Sequence, residues 1–244
     1  MCGRYTLFSE ADNPELLGII REIERKYGPG AVSAGEVFPS GRAPILIAAE
    51  GRTCPELGTW GFPRPGTGGL VINARAETAA EKRMFSESLL RRRCAVPCAG
   101  FYEWDAAKTK YLFRLPQEPC LYLAGLYGEF GGVRRYVVLT TAANASVRDV
   151  HPRMPVILPR DAREAWMHDA AAARAWLGAD MPLLARVLGK VGFGRPAGPR
   201  LVRMPRSFLA RARRHISRKT IRRDSYDDTK IPTRRPCRHA RDLE

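Results

Sequence analysis

The sequence predicts an α+β domain with a largely antiparallel, barrel-like β-sheet core and peripheral helices. Three observations carry this prediction. The middle of the 244-residue chain holds many short strand patterns separated by turn residues. One amphipathic helix pattern precedes this region and another follows it. Near residue 190 the apolar periodicity fades into an Arg- and Pro-rich stretch, so we expect a single domain over residues 1–190 and a basic, flexible tail over 191–244.

The individual elements follow from local signals. Asn13 can cap a helix that has Pro14 at its first position and ends before Gly28. The predicted helices cover residues 13–27, 78–91 and 161–175. The predicted strands cover residues 45–49, 57–62, 70–73, 95–98, 101–104, 111–115, 121–127 and 136–141.

Charge and composition limit the class of protein. The net charge is +16, and residues 195–244 alone hold 16 basic and 5 acidic residues, which favours a polyanionic partner such as nucleic acid. We expect no membrane span, because no apolar run reaches about 18 residues, and we see no secretory leader. Six scattered cysteines fit a reducing cytoplasm, near the nucleoid if the source is bacterial, better than a disulfide framework.

The first four residues, Met1-Cys2-Gly3-Arg4, carry the strongest chemical signal. Removal of Met1 would leave Cys2 with a free α-amine beside its thiol. About a tenth of such an amine is unprotonated at pH 7. The amine can form a Schiff base with an aldehyde and the thiol can close a thiazolidine ring, or the thiol can attack an amide with the amine as its base. A Cys2 that merely follows an initiator methionine is the alternative.

Three further segments are candidate sites. Asn73 lies at a predicted strand end, where its amide can hold a substrate oxygen, and Arg75 nearby can bind a phosphate. The alternative is an asparagine in an ordinary turn with a surface arginine beside it. Glu103 lies within an aromatic strand, where desolvation raises a carboxyl pKa and suits acid–base catalysis, unless it reaches solvent at a sheet edge. His151 stands in a proline-stiffened loop beside Arg153 and could shuttle protons, or be an ordinary loop histidine.

Signals for metals and cofactors are weak. Cys94 and Cys98 lack a second ligand pair at zinc spacing, so we interpret them as buried strand residues. The chain has neither a P-loop nor a dinucleotide fingerprint. We therefore predict no metal and no cofactor.

Taken together, the motifs resemble the SOS response-associated peptidase (SRAP) family. The matching segments keep their order over about residues 1–185: MCGRY at the start, WGF at 60–62, INARAET at 72–78, RRRCAVPCAGFYEW at 91–104, TTAAN at 140–144 and HPRMPVIL at 151–158. The resemblance implies a sensor of abasic sites in single-stranded DNA that forms a thiazolidine DNA–protein crosslink and shields the lesion in the DNA damage response. It also implies a thiol autopeptidase that removes its own leading residue, with lyase activity as a further option.

The resemblance also assigns roles to individual residues. Cys2 is implied as the nucleophile, surrounded by Asn73, Glu103 and His151. The implied DNA-binding residues are Arg4, Arg75, Arg83 and Arg153 at backbone phosphates and Pro39 and Trp60 at bases near the lesion. The implied partner is single-stranded DNA with an abasic site, and we expect a monomer.

The chain departs from the family pattern at three places. Residues 63–69 are Gly/Pro-rich where a further tryptophan is usual, and Glu36 stands where an asparagine is commoner and would repel phosphate. The usual C-terminal Val-Ser and Val-Asn signature is not found, so the closing strand is expected to be missing or replaced.

Two other classes of protein remain as alternatives. Class II glutamine amidotransferases also begin with Met-Cys-Gly, but their glycine- and asparagine-rich motifs are not found here. A non-catalytic basic protein that binds nucleic acid through its tail is the second.

Overall fold

The computed structural model describes residues 2–7, 13–33, 35–66 and 68–189, which form strands β1–β15 and helices α1–α4. The strands are Arg4–Thr6, Glu36–Val37, Arg42–Ala49, Arg52–Trp60, Phe62–Pro63, Leu70–Val71, Asn73–Arg75, Arg93–Cys98, Gly100–Trp104, Lys110–Arg114, Leu121–Phe130, Val133–Ala142, Arg153–Pro155, Ile157–Leu158 and Ala185–Leu188. The helices are Pro14–Tyr27, Ser86–Arg91, Ala162–His168 and Ala170–Trp176. The predicted tail over 191–244 lies outside the described residues.

Two sheets form the framework of the domain. The larger has eight strands in the order β13–β12–β4–β3–β8–β11–β14, with β7 paired to β12. Because β12 also pairs with β11, strands β12, β4, β3, β8 and β11 close into a ring. The smaller sheet has the order β15–β10–β9–β1–β2. Among the described strands, only the pairings of β12 with β4 and β7 are parallel, so the α+β class and its largely antiparallel, barrel-like core are confirmed.

An aromatic layer connects the two sheets. The hydroxyl oxygens of Tyr5 on β1 and Tyr136 on β12 are hydrogen-bonded at 2.6 Å. Trp60 on β4 contacts both rings, with centroids 5.2 Å from Tyr5 and 6.3 Å from Tyr136. Gly58 makes this packing possible, because a Cβ there would lie 2.8 Å from the Tyr136 ring. All three aromatic side chains are fully buried and form part of the core beside Cys2.

Helix α1 confirms the capping signals read from the sequence. The Asn13 side chain accepts a hydrogen bond from the Leu16 N–H at 3.1 Å. Gly28 ends the helix with a φ of 95°, a conformation that favours glycine. Leu16, Ile20 and Ile23 share the buried face, as the apolar spacing predicted.

The other two helix predictions were wrong in detail. The helix predicted over 78–91 begins only at Ser86, after a short 3-10 turn and an irregular segment. This break lets Ala79 and Phe85 both reach the core, whereas positions six apart on one straight helix would point about 120° apart. The helix predicted over 161–175 is broken at Asp169, whose extended backbone ends α3 and whose carboxylate caps α4.

We expected the closing strand to be missing or replaced, and the described residues end in a strand, β15, that the sequence prediction did not include. Strand β15 pairs antiparallel with β10 at the edge of the smaller sheet. Arg186 anchors it by a 2.5 Å ion pair with Asp149 and by contact with the Tyr111 ring at 5.2 Å. Strand β15 has only four residues and three of them are exposed, so burial imposes little periodic pattern on its sequence. No helix in the described ranges is long and apolar enough to cross a membrane.

Candidate active site around Cys2

The pairing of β1 with β9 places the N-terminal residues beside Glu103. Arg4 lies opposite Tyr102 and Tyr5 opposite Phe101, so the chain before Arg4 runs toward Glu103. The predicted alternation of β9 is observed, because the Phe101 ring packs on Phe113 in the core, whereas the rings of Tyr102 and Trp104 lie on the other face, where the Lys110 ammonium contacts both. Glu103 is two residues from Phe101 and shares its face. The two-residue period of β9 therefore places the Glu103 carboxylate in the interior of the domain, where Cys2 also lies.

Cys2 is held in a fully buried position. Its side chain has no exposed surface, and its thiol Sγ lies 3.8 Å from the carbonyl oxygen of Arg4. Burial, followed by the nearby Glu103 carboxylate, raises the pKa of the Cys2 thiol far above its ordinary range. The sulfur is therefore a neutral thiol near pH 7 rather than a thiolate.

Asn73 fixes the main chain of Cys2. Its side-chain Nδ2 donates a hydrogen bond to the Cys2 carbonyl oxygen at 2.9 Å. The Asn73 Oδ1 is buried and has no hydrogen-bond partner within the described structure. Because a buried acceptor without a partner is costly, this oxygen is prepared to accept a hydrogen bond from an amine or a substrate hydroxyl.

Glu103 and His151 complete the cluster. Glu103 is 4% exposed, and burial raises the pKa of its carboxyl while the neighbouring His151 opposes that rise. The His151 ring is fixed through Nδ1, which lies 3.0 Å from both the main-chain nitrogen and the carbonyl oxygen of Arg153. The structure thus brings together Cys2, Asn73, Glu103 and His151, which come from four separate parts of the chain.

The arginines expected at DNA phosphates differ in their availability. Arg75 and Arg83 are exposed. Arg153 is already engaged, because its two terminal nitrogens bind the Glu77 carboxylate at 2.7 and 2.8 Å. Hydrogen bonding from Arg153 lowers the pKa of Glu77. A phosphate at Arg153 would therefore have to compete with an ionised carboxylate.

Arg4 belongs to a compact group of charged and aromatic side chains. Its guanidinium binds Glu36 at 3.1 Å, and Lys110 binds the other oxygen of the same carboxylate. Its Cζ also lies 4.3 Å from the ring centroid of Phe38 and 4.9 Å from that of Trp104. The expectation that Glu36 would repel phosphate is corrected, since its charge is balanced by two cations.

The structure does not support Trp60 as a base contact. Its side chain is fully buried, and its indole N–H donates to the Ile72 carbonyl oxygen at 2.9 Å. A side chain without exposed surface cannot stack on a base, so Trp60 is a core residue. Pro39 is exposed and stays a candidate contact.

Sequence reasoning missed Phe38, Lys110 and Glu77. Phe38 could have been noticed as an apolar residue beside the turn proline, but the partners of Lys110 and Glu77 depend on strand pairing. Cys94 and Cys98 are free and buried on β8, as the sequence predicted. No group of three His, Cys, Asp or Glu side chains in the described ranges could hold a metal ion.

Fold and site together define a single α+β domain with a buried cysteine at position 2, held by an asparagine beside a buried glutamate. The family model described as "SOS response associated peptidase (SRAP)" matches residues 1–184. The chain therefore belongs to the SRAP family.

Individual relatives agree with this assignment. The abasic site processing protein YoaM of Bacillus subtilis is 34% identical over 187 residues, which is 69% of this chain and 79% of YoaM. The abasic site processing protein YedK of Escherichia coli is 26% identical over 186 residues, covering 71% of this chain and 82% of YedK. A crystal structure of a Bordetella bronchiseptica protein shares the fold, with a TM-score of 0.60 at 24% identity over 78% of this chain and all of that one.

Proposed function

We propose that this protein recognises abasic sites in single-stranded DNA and captures them covalently through Cys2 as part of the DNA damage response. Membership of the SRAP family and the names of its relatives, which are abasic site processing proteins, support the substrate. The observation that carries the proposal is the burial of Cys2 between the Asn73 amide and the Glu103 carboxyl. An abasic site is a latent aldehyde, and a 1,2-aminothiol traps aldehydes selectively.

The reaction begins with hydrolysis of the Met1–Cys2 peptide bond, which frees the Cys2 amine. The amine adds to the aldehyde carbon of the ring-opened sugar, loses one water and forms an imine. The thiol then adds to the imine carbon while its proton passes to the nitrogen, which closes the thiazolidine ring. The raised pKa of the Cys2 thiol supports this order, because a neutral buried thiol is a poor first nucleophile.

The neighbouring residues supply proton transfer and orientation. Glu103 keeps its proton to a higher pH than an ordinary carboxyl, so it can donate to the sugar ring oxygen and to the departing water. Asn73 positions Cys2 through its carbonyl and offers Oδ1 to the amine. His151 relays protons to and from Glu103.

Two further activities belong to this proposal. Self-removal of Met1 would begin with addition of the Cys2 thiol to the Met1 carbonyl carbon, while the thiol proton passes to the departing Cys2 nitrogen. Water then hydrolyses the resulting thioester, which releases methionine and restores the thiol. Lyase activity would use the imine, since an imine at the sugar carbon activates the adjacent strand bond toward β-elimination. Single-stranded DNA would be held by Arg4, Arg75, Arg83 and Arg153, with Pro39 beside the lesion.

A denaturing gel with an oligonucleotide carrying one abasic site tests the proposal, together with the intact mass of the protein. We expect a covalent product whose mass equals the protein without Met1 plus the DNA minus one water. Cys2→Ala should abolish this product and keep salt-sensitive DNA binding. An unshifted oligonucleotide, or active protein that retains Met1, would contradict the proposal.

The same samples separate the alternative classes of protein. A basic protein that only binds nucleic acid would bind equally well with and without Cys2→Ala and would give no covalent product. A glutamine amidotransferase would release ammonia from glutamine and would lose this activity in Cys2→Ala.

A further inference from the structure

We propose that Phe38 is a stacking platform for the nucleobase next to the abasic site. The inference rests on the proposed function, because it adds a DNA contact to the same site. Phe38 is 48% exposed, whereas every other phenylalanine in the described ranges is buried or half-buried. Single exposed apolar residues are common on protein surfaces, so its placement and rigidity must carry the argument.

Phe38 lies beside the N-terminal segment that carries the nucleophile. It follows β2, which pairs with β1, and the Arg4 guanidinium lies 4.3 Å from its ring centroid. Cys2 precedes Arg4 by two residues, and the Arg4 side chain extends from β1 to the Phe38 ring. A DNA strand with its abasic sugar at Cys2 and a phosphate at Arg4 would bring a neighbouring base to the Phe38 ring.

The turn that presents Phe38 is held rigidly. The Gly41 N–H donates to the Phe38 carbonyl oxygen at 2.8 Å, and the main chains of Ser40 and Gly41 exchange hydrogen bonds with Trp60, each at 2.9 Å. A Cβ on Gly41 would lie 2.7 Å from the Phe38 oxygen, so the turn requires glycine. Because the ring is carried on a fixed turn beside the buried Trp60, little ordering is needed when a base binds.

The surroundings suit a nucleotide rather than an apolar partner. The Arg4 guanidinium covers part of the Phe38 ring. Arg4 and Lys110 both form ion pairs with Glu36, so these three side chains together carry a formal net charge of +1. Positive charge beside an aromatic ring is the combination that proteins use for single strands, with phosphate near the cations and a base on the ring. An aromatic residue here also replaces the stacking expected of Trp60.

The test measures dissociation constants for the full chain by fluorescence anisotropy. Three DNA strands are compared: one with a single unreactive tetrahydrofuran abasic analogue, and two in which the 5′ or the 3′ neighbouring base is also removed. Phe38→Ala should weaken binding to the first strand roughly tenfold, the loss expected for one stacked base. Phe38 stacks on only one of the two neighbouring bases. On the DNA strand that lacks that base, Phe38→Ala should leave the dissociation constant unchanged.

Two control variants sharpen the comparison. Phe38→Trp should bind as well as the wild type, because indole also stacks. Val133→Ala removes another exposed apolar side chain, on β12, and should bind all three strands like the wild type. Thermal unfolding of each variant confirms that it is folded.

Either of two results would overturn the stacking proposal: no loss of affinity with Phe38→Ala, or an equal loss on all three strands. The covalent assay on a true abasic site keeps the proposed function separate. Wild-type protein that binds these strands but forms no covalent product would contradict capture at Cys2, while the base-removal comparison would still decide the role of Phe38.

Discussion

Asn73 donates a hydrogen bond from its side-chain Nδ2 to the main-chain carbonyl of Cys2 at 2.9 Å, across 71 residues of sequence. The hydrogen bond connects the two sheets, because Asn73 lies on β7, which pairs with β12 of the larger sheet, while Cys2 directly precedes the segment that enters β1 of the smaller sheet. Chain termini are commonly mobile unless they are tied down. This hydrogen bond therefore gives a residue near the chain start the fixed geometry that ring closure needs.

Replacing Asn73 by Asp should slow crosslinking about 5- to 150-fold, the effect of about 1–3 kcal/mol from a lost hydrogen bond at a buried site. The substitution keeps the size of the side chain but removes the donor to the Cys2 carbonyl. Single-turnover crosslinking rates on abasic DNA measure the effect.

Asn13→Asp is the matched control. Asn13 also donates from Nδ2 to a main-chain carbonyl, that of Pro119 at 2.7 Å, and Asp caps a helix as well as Asn does. Its crosslinking rate should equal that of the wild type. Equal rates for both variants would show that the Asn73 contact plays no part in the reaction.

Replacing Glu103 by Gln should slow the reaction about a hundredfold or more, because the proton donor is lost. It should also stabilise the fold at high pH. Burial raises the pKa of Glu103 in the folded state above the ordinary value of about 4.3, so the folded protein binds more protons than the unfolded chain between those two values. The free energy of unfolding is therefore highest below the ordinary pKa of the Glu103 carboxyl, and it falls as the pH rises through the pKa of this group in the folded state.

Urea unfolding at pH 4 and at pH 8 measures this effect. The free energy of unfolding of Glu103→Gln should exceed that of the wild type at pH 8, and the difference should shrink at pH 4. A variant that is less stable than the wild type at pH 8 would mean that the ionised carboxylate stabilises the fold.

Trp60→Phe should destabilise the protein by about 0.5–3 kcal/mol and leave the DNA affinity of the folded protein unchanged. The change removes one of two hydrogen bonds to the Ile72 carbonyl oxygen, which keeps the Val138 N–H at 3.1 Å, and it leaves a void in the buried aromatic layer because phenyl is smaller than indole. Trp166→Phe is a matched control, because Trp166 is equally buried and donates to the Cys94 carbonyl oxygen at 2.9 Å. Weaker DNA binding by folded Trp60→Phe alone would restore Trp60 as a DNA contact.

The sequence predicted what depends on local pattern and could not predict what depends on strand pairing. The caps of α1 and the alternation of β9 are local signals, and both are observed. The bridge from Arg4 through Glu36 to Lys110 joins residues that become neighbours only when β2, β1, β9 and β10 lie side by side. Trp60 shows the same limit, since its burial depends on Tyr5 and Tyr136 meeting across two sheets.

The ion pair between Arg153 and Glu77 leads to a prediction about salt. Glu77→Gln removes the negative charge that binds Arg153. One guanidinium nitrogen keeps its hydrogen bond to the Thr140 carbonyl oxygen, and the other becomes available to a phosphate. One additional phosphate contact should steepen the slope of log affinity against log salt by about 0.7 on single-stranded DNA and raise affinity at low salt. Glu87→Gln is the matched control, because it also removes one negative charge, but from a pair with Arg92. Anisotropy titrations at several salt concentrations compare the two variants, and equal slopes would show that net charge alone, not the release of Arg153, changes the affinity.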